Sequence, residues 1–178
     1  MKTRDRIVLE ARHLYNQLGY ANVSSATLAA HLGIAEGNLW YHFKTKVAIL
    51  SSISEVFSIA IERRLAILPV QGGDIVDDYA NLLQFMIQEF REFRFLYRDQ
   101  AEYGGHDEIV RRRARGWHER THAQLRIYLN AFATKGLLDW SEERLSDLAI
   151  NATILLRYGL DFSREMGEPI EQIGRAHV

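Results

Sequence analysis

Ser24-Ser25-Ala26-Thr27-Leu28-Ala29-Ala30-His31-Leu32-Gly33-Ile34-Ala35-Glu36-Gly37-Asn38-Leu39-Trp40-Tyr41-His42-Phe43-Lys44-Thr45-Lys46 is the stretch that decides the fold. Ser24 and Ser25 each offer an N-cap for a short helix over Ala26–Leu32, whose inward face is Leu28, Ala29 and Leu32. Gly33 stops that helix, and after the turn Gly33-Ile34-Ala35 a third helix is expected from about Glu36 to His42. Two helices joined by a short glycine turn form the geometry that lays the second helix in a DNA major groove. That groove is about 12 Å wide and admits one helix. The chemistry fits. Asn38, Trp40, Tyr41 and His42 supply donors and planar rings, and Lys44 and Lys46 follow directly, where they can hold phosphates and fix register. Leu39 and Phe43 are expected in the core of this small unit.

Upstream, Ile7, Ala11, Leu14 and Leu18 fall at helical spacing over residues 4–18, with Val8 and Tyr15 widening the stripe and Gly19 as C-cap. Downstream, the pattern predicts a long helix from Lys46 to about Leu68, ended by Pro69 and Gly72-Gly73. Further helices are expected over roughly 75–102, 107–134 and 141–166, punctuated by Gly104-Gly105 and Gly136. The first of these breaks near Phe93, because Phe90, Phe93, Phe95 and Leu96 cannot share one face. No run alternates with period two, so no sheet is expected.

Composition is that of an ordinary globular protein, with 47% hydrophobic and 25% charged residues. The absence of cysteine excludes disulfides and thiolate metal sites and suits a reducing compartment. No secretory leader or membrane span is read from the sequence, so the cytoplasm is the expected location. The net charge of −1 conceals an asymmetry: residues 1–50 carry six Lys/Arg against three acids, and the remainder sixteen against twenty. A polyanion is drawn to the first segment. The last six residues, 173–178, match the translation of a common sequencing adapter and are expected to be an artefact rather than part of the fold.

From Arg4 to Leu50 the sequence resembles the TetR family of bacterial repressors, most closely over Gly33–Lys46. Ala11, Gly19-Tyr20, Leu28-Ala29 and Leu50 also stand where that family places helix-packing residues. Arg94-Phe95-Leu96-Tyr97-Arg98-Asp99 resembles a signature of one subgroup. The resemblance implies phosphate contacts from Ser25, Tyr41 and Lys46, base or phosphate contacts from Glu36, Gly37 and Asn38, and a place near the DNA backbone for His42. Trp40 stands where the family commonly has a tyrosine, and its indole N–H donates only once. Ala35 stands where a Ser or Thr cap is usual, at a cost of about 1 kcal/mol.

The resemblance further implies that the later helices form a bundle with a ligand cavity and that the last two pair across a two-fold axis. Arg98, Tyr103, Trp117 and His118 are the candidate ligand-binding groups among its many aromatic residues. Arg111, Arg112, Arg113 and Arg115 fan around a helix rather than forming a stripe, so a solvated face paired with Glu102, Asp107, Glu108 or Glu119 is expected there. His118-Glu119-Arg120-Thr121-His122 is a literal H-E-x-x-H, the zinc-hydrolase pattern, with Glu142 or Glu143 as a third ligand. Arg120 inside the motif and the lack of a sheet argue against that reading.

The expected molecule is therefore all-α: a three-helix DNA-binding domain over 1–46, then a helical ligand-binding and dimerisation domain over 47–172. Its expected function is that of a homodimeric repressor on a palindromic operator, released by a small-molecule effector, with no cofactor and no enzymatic role. A constitutive DNA-binding regulator without ligand is the alternative.

Overall fold

The computed structural model describes residues 2–103 and 108–166. Helices follow one another as α1 (Thr3–Leu18), α2 (Ser25–Leu32), α3 (Glu36–His42), α4 (Lys46–Leu65), α5 (Ile75–Glu92), α6 (Arg94–Arg98), α7 (Gln100–Tyr103), α8 (Glu108–Thr134) and α9 (Glu142–Glu165). No strand occurs among the described residues. The artefact expected at 173–178 lies outside them.

Two compact units emerge. The first comprises Met1–Ala60 with Glu92–Arg115, the second Ile61–Arg91 with Gly116–Val178, so α4 and α8 each pass from one unit into the other. The first unit is built around Ile7, Ala11 and Tyr15 of α1, Leu28 of α2, Leu39 of α3, and Leu50, Ile53 and Phe57 of α4, all buried. Phe93 and Phe95 join that core: Phe95 lies edge-on to Tyr15 with centroids 5.2 Å apart, and Phe93 stacks at 4.8 Å on Phe57. Phe93 and Phe95, far downstream in the chain, thus complete the core of the N-terminal helices.

The second unit packs Ile61, Leu82, Met86, Phe90, Trp117, Leu125, Tyr128 and Leu129. A polar cluster sits inside it. Arg64 donates from Nε to Glu89 (3.0 Å), from Nη2 to Thr121 Oγ1 (2.8 Å) and from Nη1 to Gln124. All four side chains are buried, so the guanidinium's charge is matched by the Glu89 carboxylate and its donors by hydroxyl and amide oxygens.

Helix ends depart from expectation in two places. Helix α4 stops at Leu65, not Leu68. Gln124 Nε2 donates to the carbonyls of Arg64 (2.8 Å) and Ile67 (2.9 Å), drawing the chain out of the helix before Pro69 enforces a stop. The break near Phe93 occurs as expected, at φ −119°, ψ 28°. A second break, at Asp99, was not foreseen.

Candidate nucleic-acid interface

Helix α2 begins at Ser24, whose side chain accepts the Thr27 N–H at 3.0 Å, and ends at Gly33. Gly33 takes φ +67°, a conformation that other residues adopt only with strain, and so allows the chain to reverse into α3 within three residues. Arg6 donates to the Leu32 carbonyl at 3.3 Å and secures the same corner. Ala35 begins α3 in extended conformation with no side-chain cap, as its missing hydroxyl dictates.

Helix α3 is two turns long and is held by one fully buried residue, Leu39. Phe43 follows in the core, with the Arg4 guanidinium 4.7 Å from its ring centroid. The opposite face is open. Glu36, Gly37, Asn38, Tyr41 and Lys44 are exposed, Tyr41 to 76%, while Ser25, Trp40 and His42 are half-buried. Tyr41 and His42 meet edge-on at 5.2 Å, which fixes both rings beside the exposed face. A Cβ on Gly37 would meet no atom within 4 Å, so nothing in the protein requires glycine there. Glu36 stands in the first turn, where a carboxylate also complements the helix dipole.

Lys46 is half-buried at the start of α4, with Thr45 Oγ1 accepting the Ala48 N–H at 3.0 Å just before it. Its ammonium donates to the Tyr20 carbonyl and lies 4.1 Å from the Tyr20 ring centroid. Burial pulls this ammonium below the ordinary lysine pKa, and Glu102 acts in the opposite sense.

Among the sequence-derived ligand candidates, Arg98 and Tyr103 belong to the first unit, Trp117 and His118 to the second. Arg98 donates to the carbonyls of Tyr15 (2.9 Å) and Asn16 (3.1 Å), and the buried Tyr103 hydroxyl donates to the Leu96 carbonyl. Trp117 is buried and His118 half-buried. In the arginine run, Arg112 pairs with Glu108 at 3.4 Å, and Arg113 donates to Ser54 Oγ (2.6 Å) and the Ser51 carbonyl (3.1 Å). Arg111 and Arg115 are exposed, and Asp107 lies outside the described residues. In the H-E-x-x-H segment, Arg120 pairs with Glu62, His122 faces the Ser146 carbonyl at 3.4 Å, and Glu142 pairs with Arg126. Among the described residues no three His, Asp or Glu side chains converge as a metal-ligand set. Nor is any described helix long and apolar enough to cross a membrane.

Residues 7–53 match the model of the bacterial regulatory proteins of the TetR family, and residues 54–178 match that of the TetR bacterial transcriptional repressors. The chain belongs to the TetR family. It is 25% identical over 169 residues to the class C tetracycline repressor protein of Escherichia coli, covering 93% of this chain and 71% of that protein. A TetR-family regulator from Marinobacter aquaeolei VT8 superposes with a TM-score of 0.83 at 27% identity, over 93% of this chain and 81% of that one. The fold alone is shared, at a TM-score of 0.73 and 13% identity, with AibR, solved in complex with isovaleryl coenzyme A and operator DNA; 98% of this chain and 95% of that one are covered. As a TetR-family member the chain is a DNA-binding transcriptional regulator with an N-terminal helix-turn-helix domain and a helical C-terminal region.

The roles that sequence reading missed are those of Asn16, Asp99 and Glu102, which fasten the end of α1 and the loop after it to residues 92–102. The only signal for them was the Arg94–Asp99 signature, whose acidic end has no obvious task in a helix.

Proposed function

We propose that this TetR-family chain is a cytoplasmic, homodimeric repressor, with residues 1–46 reading DNA and residues 47–172 pairing subunits and sensing a small molecule. The observation that carries the reading is α3, pinned inward by Leu39 while Glu36, Gly37, Asn38 and Tyr41 face outward beside Lys44. In this reading Asn38 and Glu36 reach base edges, and Ser25, Trp40, Tyr41, His42, Lys44 and Lys46 hold phosphates and fix register. Two copies of α3 then enter successive major grooves about 34–36 Å apart on a palindromic operator.

Pairing is supported by α9, where Ile150, Ile154, Tyr158 and Phe162 recur every four residues and are exposed, flanked by Leu155. That apolar stripe suits a second copy of the same helix. An effector that favours the non-DNA geometry by 1–3 kcal/mol would weaken operator binding roughly 5–150-fold. The alternative, constitutive binding without an effector, is favoured by the second unit's polar cluster, whose members satisfy one another.

Selection from a random duplex library tests the reading. A two-fold symmetric consensus is expected, and failure to enrich any sequence would overturn it. Melting curves across a small-molecule panel then separate effector-released from constitutive repression.

A further inference from the structure

The loop between α1 and α2, residues 19–24, sets where the helix-turn-helix begins; the Gly19 and Val23 N–H groups bond locally, to Tyr15 and Tyr20, but two of its amides reach across the fold. The Tyr20 N–H donates to Asp99 Oδ2 at 2.7 Å, and the Ala21 N–H donates to Glu102 Oε2 at 3.1 Å. Just before the loop, the last carbonyls of α1 are taken from the same side: Arg98 donates from Nη2 to Tyr15 and from Nη1 to Asn16, and to Asp99 Oδ2 at 2.9 Å. Asn16 completes the seam, accepting the Phe95 N–H at 2.9 Å and donating to the Glu92 carbonyl at 2.8 Å. All of these groups lie within one compact unit.

We propose that Asp99 and Glu102, with Arg98 behind them, are positioning residues for DNA reading, holding the α1–α2 loop by its amides and so setting the approach of α2 and α3. The arrangement is charge-assisted and dry at its centre, because Asp99 is only 4% exposed and accepts from both a guanidinium and a peptide. The loop passes so close that a Cβ on Gly19, at φ +91°, would come within 3.8 Å of both Arg98 and Asp99. The platform is tied to itself and to the loop: the Tyr103 hydroxyl donates to the Leu96 carbonyl, and the Tyr103 ring lies edge-on to Tyr20 at 5.8 Å. A binding surface depends on such a supporting shell to hold its geometry. Residues 94–102 therefore act on DNA without touching it.

This inference rests on the DNA-binding reading above, and the experiment separates the two. Wild type, Asp99→Ala, Asp99→Asn and Glu102→Ala are compared on the operator selected by wild type and on a random-sequence duplex. Measurements are made well below each melting temperature, with affinities corrected for the folded fraction. Amide exchange at Tyr20 and Ala21 is followed in parallel. For Asp99→Ala the expected result is about tenfold faster exchange at Tyr20 and about tenfold weaker operator binding, with an unchanged salt slope, and partial rescue in Asp99→Asn. A purely stabilising role would lower the melting temperature and leave the folded fraction's operator affinity at the wild-type value, which would overturn the proposal. Should Asp99→Ala not fold, Glu102→Ala, at an exposed carboxylate, carries the test. Faster exchange at Ala21 with weaker operator binding supports the proposal, and wild-type affinity there overturns it. If wild type selects no operator, the DNA-binding reading fails and takes this inference with it.

Discussion

The Lys46 ammonium lies over the Tyr20 ring and donates to the Tyr20 carbonyl, which ties the first residue of α4 to the loop that leads into α2. The same residue is also held through its N–H, which Asp99 accepts. An ammonium has three donors, so the carbonyl uses one and leaves others for a phosphate oxygen. On the proposed function, Lys46 would therefore serve the fold and a bound polyanion together.

Replacing it with alanine separates those services. Lys46→Ala is expected to weaken binding to all DNA sequences and to make the salt slope shallower by about one unit. Loss of the carbonyl bond should also cost about 1 kcal/mol of stability. A salt titration checks this: equal slopes for variant and wild type would confine Lys46 to the loop.

Gly37 offers a cleaner separation. No protein atom would meet a Cβ there, and alanine favours a helix over glycine by up to about 1 kcal/mol. Gly37→Ala is therefore expected to raise the melting temperature and, if α3 lies in the groove as proposed, to weaken operator binding, because the added methyl would then face DNA. If stability and affinity rise together, this face of α3 does not lie against DNA.

The helix-turn-helix was legible because its determinants are local: Ser24 caps, Gly33 turns, and Leu39 with Phe43 marks the inner face within twenty residues. What escaped was non-local. The early end of α4 depends on Gln124, sixty residues from Arg64, and the break at Asp99 depends on peptides in the α1–α2 loop. A sequence pattern records which residues are polar but not which distant backbone groups they satisfy. Nor could a sequence pattern show that Arg98 donates to the carbonyls of Tyr15 and Asn16, more than eighty residues away. On the exposed face of α3, Asn38 and Tyr41 were readable from their side-chain chemistry, whereas Glu36 and Gly37 came from the family resemblance.

Inside the second unit, Arg64 and Glu89 form a buried ion pair whose loss leaves a charge without a partner. Glu89→Ala is expected to cost about 3–5 kcal/mol, whereas replacing both residues with apolar ones of similar volume should recover most of that loss. Urea denaturation of the single and double variants decides it. Additive losses in the double variant would mean that the pair is not energetically coupled.

Alkaline stability follows from three tyrosines whose pKa burial raises, Tyr15, Tyr79 and Tyr128. At Tyr15, Tyr20 adds to the shift. The three folded values stand above the unfolded value near 10.0, so their contribution is complete below that pH and is lost as pH rises beyond it. Lys46, shifted downward, acts oppositely but is less buried. The melting temperature is expected to fall steeply above about pH 10. Tyrosinate absorbance should lag until helicity is lost; a smooth titration of all tyrosines in the folded protein would contradict this.

The proposed pairing of subunits rests on helix α9. Leu145 and Ala149 bury one face of it, while Leu155, Tyr158 and Phe162 expose 66%, 56% and 63% of their surface on another. Fully covering one such side chain is worth about 1.5–3 kcal/mol, so a stripe of this length can hold two copies together. A charge placed in it would have to be desolvated on pairing but costs the single subunit little, because the position already faces solvent. Leu155→Glu combined with Phe162→Glu is therefore expected to leave the melting temperature of the subunit near wild type and to convert a dimer to a monomer at micromolar concentration. Operator affinity should fall with it, since one α3 reaches only one half-site. Light scattering after size-exclusion chromatography reads the first effect and gel shift the second. A wild-type protein already monomeric, or a variant still dimeric and fully active on the operator, would place the pairing surface elsewhere.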